Sequence, residues 1–175
     1  MRPQARAAVE ADRPFVEALI ARELAAGTVL PRRFVPAEFL VLVGANAEIL
    51  GCASFARWGP GVVEIGTVIA AHPGGGLGRA VVEAALARVA TGGDDTAVVL
   101  TGVPGFFARL GFQDVPDAPW ARARRLPAVD LGDDALARGV AVKARKSCAA
   151  CPHLAGCSQS LLVYRLPAVA LPAVA

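Results

Sequence analysis

Four glycines fall within five residues at Gly74-Gly75-Gly76-Leu77-Gly78, and Arg79 follows them. Behind them Leu77, Val81, Val82, Ala85, Leu86 and Val89 recur at three- and four-residue steps, which predicts an amphipathic helix. The first turn of a helix carries unpaired N–H groups and a partial positive charge, so it suits a phosphate. Glycines ahead of it let a pyrophosphate come close to the main chain. Taken alone, the same residues also describe a flexible surface loop.

A second constellation lies near the C-terminus: Cys148, Cys151, His153 and Cys157. Three thiolates and one imidazole suit zinc, and Cys-x-x-Cys is a good half-site. The histidine and the last cysteine depart from finger spacing. A redox pair of Cys148 with Cys151 and reduced thiols in a packed loop are the alternatives. Cys52 stands alone in an apolar segment and reads as a small core residue.

The elements that must position these groups follow from pattern. Residues 5–9 read as a strand. Asp12 reads as a helix N-cap with Pro14 in the first turn, and the stripe Phe15, Leu19, Ile20 runs to about Ala26, stopped by Gly27. Phe39 to Val43 and Glu48 to Arg57 form a hairpin around Ala45-Asn46-Ala47. Val62 to Ala70 is a third strand, and the helix after the glycines reaches about Ala90. A strand at Ala97–Leu100, a short helix from Pro104 to Leu110 and an extended Phe112–Val115 come next. Residues 116–140 show no long element, and Ser160–Leu166 is the last strand. Such an order predicts an α/β (α+β) mixed sheet with helices on both faces. The glycines sit where a buried strand hands over to a helix, a usual place for a ligand.

Composition sets the class. A chain of 175 residues, 55% hydrophobic and 19% charged, is long and apolar enough for one folded domain and unlike a disordered chain. We expect one domain over 1–166, with a Cys-rich element at 148–157 and a Pro/Ala tail at 167–175. No apolar run approaches the ~20 residues of a membrane span. The basic start Met1-Arg2-Pro3 has no apolar stretch behind it, so a signal peptide is not expected and a reducing cytoplasm is. Net charge is +3, with one cluster at Arg122, Arg124 and Arg125 that reads as a solvated loop rather than a nucleic-acid surface. A homodimer is allowed by the sequence without being specified by it.

Two segments at the right separation resemble the GCN5-related N-acetyltransferases. Gly76-Leu77-Gly78-Arg79-Ala80 is similar to the second half of that family's Q/R-x-x-G-x-G/A coenzyme A loop. Phe106-Phe107-Ala108-Arg109-Leu110-Gly111-Phe112 is similar to its aromatic-x-x-x-Gly-Phe element. Thr101-Gly102-Val103-Pro104, Gly51-Cys52-Ala53, Glu64-Ile65, Leu30-Pro31-Arg32 and Cys148-Ala149-Ala150-Cys151-Pro152 further resemble the short bacterial N-acetylglutamate synthases. The chain departs from the pattern at Pro73, where the family has Gln or Arg, and its loop is about two residues shorter. Gly66 stands where an arginine is expected, and Phe107 where a tyrosine is usual. The span from Arg33 to Phe39 is too short for the usual second helix.

The resemblance implies a mostly antiparallel sheet with a V-shaped splay between two parallel strands, and acetyl-CoA as co-substrate. It implies that a backbone N–H near Val68 or Ile69 polarises the thioester carbonyl. Gly74, Gly75, Gly76, Leu77, Gly78 and Arg79 would hold the pyrophosphate, with Phe107 beside the cofactor. Glu64 is the base candidate, working through a water, with His72 as a lesser one. Arg32 and Arg33 are the natural partners of a substrate carboxylate, because a guanidinium fork matches it in two bonds. The expected reaction is acetyl transfer to a small amine, such as glutamate. The rival readings are another acceptor, drug-like or a protein N-terminus, and a regulatory module that binds the thioester without turning it over.

Overall fold

The computed structural model describes residues 3–114, 135–143, 148 and 159–167. Its elements are β1 (Gln4–Ala7), α1 (Arg13–Ala25), β2 (Phe39–Val43), β3 (Ile49–Gly59), β4 (Val62–Ala70), α2 (Leu77–Thr91), β5 (Thr96–Thr101), α3 (Pro104–Ala108), β6 (Gln113–Asp114), α4 (Ala135–Lys143) and β7 (Ser160–Arg165). The strands lie in one seven-stranded sheet in the order β1-β2-β3-β4-β5-β7-β6, mostly antiparallel with one parallel pair. The mixed sheet predicted from pattern is therefore present. Among the described residues no helix is long and apolar enough to cross a membrane. The chain divides into two compact units: Met1–Ala56 with Glu64–Ala87, and Arg57–Val63 with Arg88–Ala175.

In the first unit β2 pairs antiparallel with both β1 and β3, with Val41 opposite Cys52 and Leu40 opposite Ala53. Side chains alternate between the faces of a strand. One face carries Val41, Cys52 and Ile69, and α1 covers it with Val16 and Ile20, joined by Phe34 and Phe39. Gly51, one residue before Cys52, points the other way. There a Cβ would come within 2.7 Å of Val81 Cγ2 on α2 and 2.6 Å of the Ile69 carbonyl oxygen. The two helices thus cover opposite faces, and only glycine admits α2 this closely.

Both ends of α1 fall where the sequence places them, but the N-terminal one is held in an unexpected way. Gly27 adopts φ +70°, its N–H bonds Leu24 O, and Thr28 N–H bonds Glu23 O, the paired closure that a left-handed glycine permits. Asp12 is the N-cap residue that its position suggested, but its side chain makes no capping hydrogen bond to α1. A 3₁₀ turn over Glu10–Asp12 precedes the helix, so Asp12 ends that turn. Its carboxylate reaches back to Val9 N–H at 2.8 Å and takes both arms of Arg6 at 2.7 Å.

In the second unit β7 pairs antiparallel with β5, placing Val98 opposite Val163 and Val99 opposite Leu162. Its core gathers Val62, Val98, Val140, Cys148, Leu161 and Val163, with Trp58 packed against them. The reading of 116–140 as lacking a long element needs correction, because α4 begins at Ala135. The helix has nine residues with Gly139 inside it, so intrinsic propensity does not announce it. Packing does: Trp58 lies directly against Gly139, where any Cβ would collide with the indole side chain. Similarly α3 stops at Ala108 rather than Leu110, and Gly111 turns the chain at φ +93°.

Candidate active site

The site grows from β4. Its first half is buried at Val62, Val63, Glu64 and Ile65, and burial then gives way toward Ala70. Glu64 is only 8% exposed, so it is no solvated strand carboxylate. It shares its face with Gly66. An ideal Cβ at Gly66 would lie 3.1 Å from Ser54 Oγ and 3.6 Å from Glu64 Oε1. Where the resemblance leads one to expect an arginine, Gly66 leaves the space between an acid and a hydroxyl without a side chain.

Thr67, next along, has φ +47°, a left-handed conformation that threonine adopts only under constraint. Ser54 Oγ lies 3.1 Å from its hydroxyl, and the Cys52 thiol points at its carbonyl oxygen from 4.0 Å. A left-handed residue inside a strand interrupts the pleat and re-aims the backbone groups that follow. Those groups belong to Val68 and Ile69, the two residues expected to present a carbonyl-polarising N–H. Sequence reasoning missed Thr67 because a β-branched residue in a Val/Ile-rich strand signals regular pleat. The glycine just before it was the only cue.

Beyond Ala70 the chain leaves the sheet through Ala71, His72 and Pro73. Gly74, Gly75 and Gly76 then adopt φ +83°, +61° and +76° in succession. No atom lies within 4 Å of where a Cβ on any of the three would stand. The glycines are therefore demanded by backbone conformation and not by crowding, and they line open space. Leu77 N–H turns back to Gly74 O at 3.5 Å and Ala80 N–H to Gly76 O at 3.0 Å, which starts α2. Arg79 sits exposed in the first turn of α2 and pairs with Glu83 at 2.7 Å. Bare main chain feeding a helix N-terminus with a cation in its first turn fits a phosphate-bearing ligand.

An open pocket of about 510 Å³ adjoins this turn, lined by Arg22, Glu23, Val68, Ile69, Ala70, Ala71, His72 and Pro73. It unites Val68, Ile69 and His72 with a residue the sequence did not single out. Arg22, in the last turn of α1, donates from Nη1 to Ala71 O at 2.7 Å and from Nη2 to Ala70 O at 2.9 Å. Nothing in a linear reading joins residues 49 positions apart.

The two arginines expected to meet a substrate carboxylate are held differently. Arg32 donates from Nη2 to Glu38 Oε2 at 2.6 Å and to Phe55 O at 3.1 Å. Its Nε is buried without a hydrogen-bond partner among the described residues. Arg33 is exposed. Phe107 lies in the second unit, buried and edge-on to Phe106 and Phe112 with ring centroids 5.0 and 5.4 Å apart. Tyr164 packs on Phe112 at 5.3 Å.

The zinc expectation finds no support. Cys148 is buried in the apolar core of the second unit, while Cys151, His153 and Cys157 lie outside the described residues. Among the described residues no group of three His, Cys, Asp or Glu side chains is arranged to hold a metal. Arg122, Arg124 and Arg125 and the tail from Ala168 also lie outside them. Cys52 is fully buried, and desolvation pushes its thiol up to about 12, as suits a core residue.

No protein-family model matches the sequence. Solved structures do match it. N-acetylglutamate synthase from Neisseria gonorrhoeae, complexed with coenzyme A and N-acetyl-glutamate, superposes with a TM-score of 0.68 at 20% identity over 95% of this chain. The chain spans about a third, 36%, of that enzyme's length. Rv2747 from Mycobacterium tuberculosis, in complex with CoA and NLQ, gives 0.68 at 24% identity, covering 94% of this chain and all of that one. The GNAT family N-acetyltransferase YhbS from Escherichia coli, in complex with CoA, gives 0.54 at 18% over 95% of this chain and 83% of that one. The fold is that of the GCN5-related N-acetyltransferases. In this acetyltransferase fold the unusual backbone of Thr67 and of Gly74–Gly76 flanks β4's exit from the sheet, with the pocket at Val68–Pro73 between them.

Proposed function

We propose that this chain is an acetyl-CoA-dependent N-acetyltransferase whose acceptor is a small amine bearing a carboxylate, an amino acid such as glutamate. One observation carries the reading: three successive left-handed glycines deliver the end of β4 onto the N-terminus of α2 with open space before them. Acetyl-CoA supplies the activated acyl group when bound. The N–H groups of Gly74 to Arg79 hold its phosphates, and main-chain N–H at Val68 or Ile69 receives the thioester carbonyl where Thr67 re-aims the strand. Glu64 takes the acceptor's proton through a water, and Ser54 orients that water across the space left by Gly66. Arg32 offers a carboxylate its buried Nε, which has no partner among the described residues, with Arg33 adding charge. Holding amine and thioester together supplies much of the acceleration.

Calorimetry with acetyl-CoA, followed by a panel of amines with thiol release as readout, tests this. We expect binding, and turnover with a carboxylate-bearing amine. Turnover confined to amines without a carboxylate would remove the acceptor class. Absence of binding at millimolar acetyl-CoA would remove the transferase itself. The complexes of similar fold with coenzyme A and N-acetyl-glutamate support the choice of glutamate as the first acceptor tried.

A further inference from the structure

The glycine loop lacks the Gln or Arg that begins the loop it resembles, and Pro73 in that place has neither an N–H nor a side-chain donor. The pocket beside the loop nevertheless contains a guanidinium. We infer that Arg22, delivered from α1, is a phosphate-anchoring residue of this site and supplies from another element the cation that the loop itself lacks. The inference rests on the acetyl-CoA reading above and identifies a binding residue for the cofactor's phosphate arm.

Position supports it. Both Nη atoms of Arg22 are tied to the carbonyls of Ala70 and Ala71 at 2.9 and 2.7 Å. Gly74 lies three positions beyond Ala71, at most about 10 Å of chain. Arg22, His72 and Pro73 line the same pocket. Capacity supports it as well. A guanidinium has five N–H donors. Ala71 takes one from Nη1, Ala70 takes one from Nη2, and Glu23 Oε1 lies 2.9 Å from Nε and 2.8 Å from Nη2. One N–H of Nη1 has no acceptor among the described residues, and the side chain is 48% exposed although its head is fixed. A cation held by two main-chain carbonyls is oriented before any anion arrives, so little entropy remains to be lost on binding.

Glu23 opposes the anion and gives the inference its sharpest test. Its carboxylate is fixed by the Thr28 hydroxyl at 2.6 Å and by Arg22, and both hold it below the usual carboxylate range. It partly neutralises Arg22. If Arg22 merely strapped α1 to β4, removing the Glu23 charge would leave ligand affinity unchanged or weaker. If Arg22 holds phosphate, removing it leaves a freer cation, and affinity rises.

The experiment is calorimetry on the full chain with acetyl-CoA and with S-acetylpantetheine, which lacks the phosphates. Thermal melts accompany each variant. We expect Arg22→Gln to weaken acetyl-CoA about tenfold to fiftyfold while S-acetylpantetheine stays within about twofold. Arg22→Lys should fall between, keeping charge but losing the fork. Glu23→Gln should tighten acetyl-CoA about twofold to fivefold, with a steeper loss of affinity on adding salt than in Arg22→Gln. Equal weakening of both thioesters, no change in Arg22→Gln, or no tightening in Glu23→Gln would overturn the inference. If Arg22→Gln fails to fold, Arg22→Lys and Glu23→Gln carry the same decision. A wild-type chain that binds neither thioester overturns the transferase reading and this inference together, whereas normal wild-type binding with indifferent variants overturns only the latter.

Discussion

The first unit uses polar groups and glycines in a way the second does not. In the second, polar groups close structure. Arg57 clamps Asp94 with Nη2 to Oδ2 at 2.8 Å, Arg165 reaches Thr96 across the β5–β7 pair, and the left-handed glycines at 61, 93 and 111 stand in turns. In the first, Gly27 and the Arg6–Asp12 pair likewise close structure, but further exceptions collect along β4 and its exit. A carboxylic acid is buried beside a residue with no side chain, a threonine is left-handed inside a strand, and three left-handed glycines face open space. Irregularity that closes a turn explains itself by connectivity. Irregularity on both flanks of a pocket does not, and strain of that kind collects at functional sites. The proposed function puts its chemistry in the first unit, where these exceptions lie.

Glu64→Gln tests the contrast most severely. Turnover should fall by about 10²- to 10⁴-fold while acetyl-CoA affinity changes less than about twofold. Turnover within threefold of wild type would remove Glu64 from the chemistry. In the second unit Leu162, 1% exposed, is the counterpart probe. Leu162→Ala should cost about 2–5 kcal/mol in denaturant unfolding and leave the affinity of the folded fraction unaltered. A loss of affinity without a loss of stability would break the division of labour.

Gly75→Ala comes next. The conformation at φ +61° strains an L-residue by about 1–2 kcal/mol although the space is open, and the cradle should loosen with it. We expect a small drop in melting temperature and several-fold weaker acetyl-CoA binding. Unchanged affinity would mean that the loop does not touch the ligand.

The acid limb gives a smaller effect. Hydrogen bonding from Arg6 holds the Asp12 carboxyl below its usual range. A lowered folded value means that the pair stabilises the fold above the unfolded value of about 3.9, and that this contribution is lost as pH falls through the lower folded value. Asp12→Asn should flatten the dependence of stability on pH in that window, and an unaltered slope would count against the pairing. Smallest is the behaviour of Cys52. With its thiol near 12 and fully buried, it should resist thiol reagents until the protein unfolds. Rapid labelling in the native protein would show that the first unit opens at its core.

The strands, the helix after the glycines and the glycine loop were legible in the sequence because each follows from local rules. Val/Ile-rich runs bounded by glycines make β2 to β4, apolar spacing makes α2, and adjacent glycines announce a backbone that other residues resist. Asp12 stands at the N-cap as read, but its carboxylate does not cap α1, because Arg6 together with the Val9 N–H holds it. The helix α4 went unread because its stability comes from Val140 in the core and Trp58 against Gly139, not from propensity.

What the chain order alone determined is the sheet's sequence of elements and the cradle's position, since both depend on neighbours a few residues apart. What only the folded structure decided is which side chains gather around that turn and β4. Arg22 reaches the end of β4 across 49 positions, Ser54 meets Thr67 across 13, and Glu64 is buried by packing that no linear reading contains. Backbone conformation is a local property of the residues that adopt it, whereas the burial and partnering of a charge belong to the tertiary fold.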